Sequence, residues 1–110
     1  MAANFTDRVL ATAPLMMLVE RLRRVQGYQI TKEYADGFGG AIFELIHSIS
    51  FSSWGENITI HFSIYNNTQT LVEIKSECTL PTQVVDWGKN KKNVTAIMSY
   101  LLNGIMVSRI

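Results

Sequence analysis

The spacing of apolar residues switches between a period of two and a period near 3.6 along this sequence, and each switch predicts an element. The clearest stretch alternates Ile58, Ile60, Phe62 and Ile64 against Thr59, His61, Ser63 and Tyr65, the pattern of a strand with one buried face. Asn66-Asn67-Thr68-Gln69 then turns the chain, and Val72 and Ile74 alternate with Glu73, Lys75 and Glu77 in a partner strand. Upstream, residues 28–35 and 41–51 predict two further strands around the turn Asp36-Gly37-Phe38-Gly39-Gly40. Residues 5–11 predict a first strand, with Phe5, Val9 and Ala11 set against Thr6, Arg8 and Leu10.

Two segments carry the helical period. Thr12 as cap and Pro14 in the first turn open a helix whose stripe is Leu15, Leu18, Val19, Leu22 and Val25, with Gly27 as its stop. Arg21 and Arg24 fall on its solvated side, and Glu20 lies four residues before Arg24, a favourable spacing. From Gly88 or Lys89 a second stripe runs through Val94, Ile97, Met98, Leu101, Leu102 and Ile105. The expected order is β-α-β-β-β-β-α: an α+β fold, an antiparallel sheet with both helices on one face, spanning residues 1–110 as a single domain.

Composition adds limits. With 110 residues and 47% hydrophobic content the chain can bury a core without disulfides or metal. Its net charge of +1 generates no field for nucleic acid or an anionic membrane. Cys78 stands alone, which excludes an internal disulfide and a cysteine zinc cluster and agrees with a reducing, cytoplasmic setting. The apolar run 9–19 is flanked by Asp7-Arg8 and Glu20-Arg21-Leu22-Arg23-Arg24, unlike a signal peptide, and no stretch is long enough for a membrane span. On that reading the Asn-x-Thr triplets at Asn4, Asn57, Asn66 and Asn93 carry no glycan.

The candidate chemistry gathers at two related tetrapeptides, Trp54-Gly55-Glu56-Asn57 and Trp87-Gly88-Lys89-Asn90. An antiparallel meander brings both to one end of the sheet, where the tryptophans either plug the core or border a ligand site. Glu56 and Lys89 are then placed to pair. Lys89, Lys91 and Lys92 crowd the start of the last helix, where the dipole already presents positive charge, so they suit an anion better than the helix. Asn90 and Lys91 flank the buried face, and Asp86 offers a cap and a local countercharge. The ligand-site candidates are therefore Trp54, Glu56, Asp86, Trp87, Lys89, Asn90, Lys91 and Lys92.

Catalytic signals are weaker. His47 and His61 have no metal-binding spacing and read as strand residues. Cys78, beside Glu77, reads as a small buried hydrophobe, and Glu56 with Asp86 obeys no spacing rule for a carboxylate pair. No catalytic residue, metal ligand or cofactor is expected.

Ser53-Trp54-Gly55-Glu56, Leu80-Pro81-Thr82-Gln83 and the run from Asp86 to Val94 resemble the SWGE and PTQ…DWGKNK motifs of a group of small bacterial domains without an established activity. The resemblance implies a fold like half of the TATA-binding protein. It implies no activity, and the mixed charge of Thr59, His61, Glu73, Lys75 and Glu77 disfavours duplex binding. The expectation is a non-enzymatic interaction or binding domain, with a homodimer or protein partner at the Trp-Gly end or sheet face. The alternative is a small anionic or amphipathic ligand held between sheet and last helix, with Lys91 on its head group.

Overall fold

The computed structural model describes residues 3–47, 55–79 and 88–109. Among the described residues, six strands and two helices follow in the order β1 (Asn4–Ala11), α1 (Leu15–Arg23), β2 (Tyr28–Ala35), β3 (Ala41–His47), β4 (Glu56–Ile64), β5 (Thr70–Cys78), α2 (Lys89–Leu101) and β6 (Val107–Arg109). All strand pairs are antiparallel, and the sheet order is β2-β3-β4-β5-β1-β6.

The period-two rows meet in register. Phe43 lies opposite Ile60, which lies opposite Ile74, while Phe62 lies opposite Val72, and Val72 opposite Val9. These side chains share one face with Leu18, Val19 and Leu22 of α1 and Val94, Ile97, Met98 and Leu101 of α2, forming a single core cluster. Both helices therefore cover the same side of the sheet. Phe43 and Phe62 meet edge to face at 5.9 Å, and each fully buried phenylalanine contributes about 1.5–3 kcal/mol through removal from water. The opposite face is open and carries the pairs Arg8–Glu73 and Lys75–Glu77.

Several expectations need correction. A sixth strand, β6, extends the sheet beyond the five expected, pairing Val107 with Ala11 and anchored by the Thr12 amide donating to the Met106 carbonyl. Thr12 does not cap α1; Pro14 is the N-cap, and its carbonyl accepts from the amides of both Met17 and Leu18. The helix also ends at Arg23 rather than running to Gly27, so Arg24 is its C-cap and no Glu20–Arg24 ion pair forms among the described residues. Arg21 is not simply solvated. Its guanidinium donates to the carbonyls of Leu101 and Asn103 at 2.9 and 2.7 Å, at the end of α2 where carbonyls lack helical partners, and Tyr100 returns a bond to the Arg21 carbonyl. Leu102 and Ile105, expected within the last helix, follow it and pack at the core margin. Of the expected third strand, residues 48–51 lie outside the described residues. No helix of the described residues is long and apolar enough to cross a membrane.

Candidate functional site

In β3, β4, β5 and α2 the inward-facing row is apolar along most of its length and turns polar toward one end of the sheet. In β4 the row Phe62, Ile60, Ile58 ends in Glu56, and in β5 Val72 and Ile74 are followed by Ser76 and Cys78. In β3 Phe43 and Leu45 lead to His47, and in β2 the row reaches Tyr28, directly opposite His47. The α2 stripe does the same: stepping back four residues from Val94 and from Ile97 lands on Asn90 and Asn93, both buried.

These residues form one hydrogen-bonded network. Asn93 Nδ2 donates to Glu56 Oε1 at 2.9 Å and to Ser76 Oγ at 3.1 Å. Ser76 donates to Asn90 Oδ1 at 2.8 Å, and Asn90 Nδ2 donates to the Ala3 carbonyl and, at 3.5 Å, to Cys78 Sγ. On the outer side Asn93 Oδ1 accepts from His47 Nε2 at 2.9 Å and from Tyr28 Oη at 3.3 Å. Glu56 is 6% exposed, Asn93 4%, and Asn90 and Ser76 0%, whereas the His47 side chain keeps 34% of its surface. A buried core of amide, hydroxyl and carboxylate thus opens to solvent through two aromatic rings, whose centroids lie 4.8 Å apart. Partnered this way, the asparagine and serine groups and Glu56 Oε1 avoid the cost of about 1–3 kcal/mol that each buried unsatisfied one would carry.

The charge distribution is acidic at this seam. His47 Nε2 lies 3.6 Å from Glu56 Oε1, and the Tyr28 phenol is held above its ordinary value by burial first and then by the Glu56 charge. Cys78 is buried, as a small hydrophobe should be, with the Asn90 amide beside its sulfur.

The residues singled out from the sequence are divided by this geometry. Glu56 and Asn90 enter the network. Lys89, Lys91 and Lys92 do not: all three are exposed, and Lys91 and Lys92 border a shallow depression of about 430 Å³ with Gly88, Thr95, Ala96 and Ser99 on the outer side of α2. Asn90 and Lys91 therefore part company, because 100° of helical rotation carries one into the core and the other out. Glu56 is partnered by Asn93 and His47 rather than by Lys89. The helix N-cap is Gly88, in the left-handed region at φ 79°, with no side-chain capping bond. Trp54, Asp86 and Trp87 lie outside the described residues. Among the described residues, the Thr79 amide and hydroxyl both donate to the Gly55 carbonyl, joining the residue after β5 to the residue before β4.

Sequence reasoning missed Asn93, His47, Tyr28 and Ser76. The parity of each strand row, continued one step past the last apolar residue, marks all three strand residues, and the helical stripe continued backward marks Asn93.

A second cluster occupies the opposite face. Asp36 Oδ1 accepts from the amides of Phe38 and Gly40 at 2.7 and 2.9 Å, and Oδ2 accepts from His61 Nε2 at 2.8 Å. These bonds, His61 first and the Phe38 amide next, hold the Asp36 carboxyl below its ordinary value. Ser63 Oγ approaches the same His61 nitrogen at 3.2 Å. A nucleophile relay needs serine and carboxylate on different ring nitrogens, so this arrangement is a turn lock. Among the described residues no group of three or more His, Cys, Asp or Glu is arranged to hold a metal ion. In comparison with known proteins, the sequence matches no family model and no curated protein.

Proposed function

We propose that this chain is a small non-enzymatic binding domain that receives its ligand at the seam between the end of the sheet and the first turns of α2. The observation that carries this reading is the Tyr28–His47–Asn93–Glu56 chain, which runs from a partly exposed imidazole to a carboxylate that is 6% exposed. Burying a carboxylate and two asparagines costs stability that an apolar end of the core would not, and recognition of a polar ligand gives that cost a use. Trp54, Asp86 and Trp87 stay among the candidates of this reading on their sequence positions, Trp54 two residues before Glu56 and Asp86 and Trp87 just before α2. The strand order β2-β3-β4-β5-β1, with α1 after β1 and α2 after β5, supports a fold like half of the TATA-binding protein with β6 appended.

The test is thermal unfolding of the wild type and His47→Ala across a broad panel of small polar metabolites. A ligand at 100 times its Kd adds about 2.7 kcal/mol to the stability of the folded state. At least one compound is expected to raise the wild-type midpoint and leave that of His47→Ala unmoved. A panel that shifts both proteins equally, or neither, counts against the seam as a site.

A further inference from the structure

We infer that the ligand of this seam presents a cationic hydrogen-bond donor, an alkylammonium, amidinium or guanidinium group, to Glu56. The inference rests on the seam being a binding site and names the chemical class it selects.

The direction of each hydrogen bond carries the argument. An ionised carboxylate only accepts, so the Asn93 group facing Glu56 Oε1 is its NH₂ and the group facing His47 and Tyr28 is its carbonyl oxygen. A carbonyl oxygen donates nothing. Both the His47 Nε2 hydrogen and the Tyr28 hydroxyl hydrogen are therefore spent on Asn93 Oδ1. In neutral His47 the remaining nitrogen, Nδ1, is an acceptor, and the Tyr28 oxygen retains its acceptor lone pairs. The same holds deeper in. The Ser76 hydrogen goes to Asn90 Oδ1, and the Asn90 amide donates to the Ala3 carbonyl and Cys78 Sγ.

The unused capacity that remains is on acceptors. Glu56 Oε2 makes no hydrogen bond with any described residue, although the residue is 94% buried, and a buried carboxylate oxygen gains most from a charged donor. No lysine or arginine of the described chain reaches it, since Lys89, Lys91 and Lys92 are exposed along α2 and the arginine pairs lie elsewhere. The Tyr28 ring, tilted 36° against His47 at the mouth, adds a π face suited to a cation. An anionic ligand would instead meet Glu56 as a like charge.

The probes are ethylammonium, benzylammonium and guanidinium, set against benzyl alcohol and phenylacetate, titrated into the full chain while the His47 ring and Asn93 side-chain amide are followed by NMR. At least one cation is expected to shift these signals saturably, at least tenfold more tightly than benzyl alcohol or phenylacetate, and Glu56→Gln is expected to weaken it about tenfold or more. The comparison of benzylammonium with benzyl alcohol uses wild-type protein alone, so it stands even if Glu56→Gln does not fold. Phenylacetate or benzyl alcohol binding as tightly as the cations would overturn the ligand class and leave the seam as a site. Silence of both signals toward every probe would overturn the class and the site together.

Discussion

Two histidine–carboxylate pairs sit on opposite faces of this sheet, and their exposures are the same: 34% and 6% for His47 and Glu56, 34% and 6% for His61 and Asp36. Their saturation differs. Asp36 has both oxygens engaged, by two amides of its own turn and by His61 at 2.8 Å, so it closes the β2–β3 connection. Glu56 has one oxygen engaged by Asn93, His47 stands off at 3.6 Å, and Oε2 has no described partner. What separates the two pairs is the acceptor left unfilled at Glu56 among the described residues, which neither residue type nor burial reveals.

The largest expected effect breaks the comparison from the Glu56 side. Asn93→Ala removes both donors to Glu56 and Ser76 and the acceptor shared by His47 and Tyr28, leaving a buried charge uncompensated. Urea unfolding should show a loss of about 3–5 kcal/mol. A loss below about 1 kcal/mol would mean that the network is not what keeps the carboxylate buried.

On the other face the sensitive position is Gly40. A Cβ there would lie 2.3 Å from both Asp36 Oδ2 and the Phe62 carbonyl oxygen, so backbone must move. Gly40→Ala should cost about 1–3 kcal/mol and disturb His61. The His47 ring signals should stay where they are, because the two clusters share no residue. Coupled shifts in both histidines would remove the independence on which the comparison depends.

The smallest effect is that of acid on Asp36. Its folded value lies below the ordinary 3.8 of the unfolded chain, so between the two the unfolded state binds more protons. The stabilisation is complete above about pH 3.8 and is lost as pH falls through the folded value. Urea midpoints measured from pH 5 downward should therefore fall more steeply for wild type than for Asp36→Asn. Parallel slopes would show that the turn lock contributes nothing through its charge.

Legibility followed burial. Strand β4, β5 and the α2 stripe were readable because their apolar rows are uninterrupted, and period alone assigns their faces. Strand β6 was not, since Val107, Ser108 and Arg109 are all exposed and too few to show a period. The end of α1 was misread because Val25 packs on the core from outside the helix, as Leu102 and Ile105 do beyond α2. At the site, Glu56 and Asn90 were found through their neighbouring tryptophans rather than their own positions. The lysines drew attention as a charge cluster, although residues so closely spaced on a helix must point several ways. Asn93 and His47 were passed over because polar residues ending an apolar row look like the row's boundary, when here they are its continuation.

The Asn90–Ala3 bond joins residues 87 apart, and β1 enters the sheet only by pairing with β5. Hairpins β2–β3, β3–β4 and β4–β5 close over short connections and cost little chain entropy, while this contact closes over most of the chain. Within the seam's network it is therefore the contact with the largest loop-closure cost. Loss of the first three residues would leave the three hairpins their partners and remove the carbonyl that accepts from Asn90.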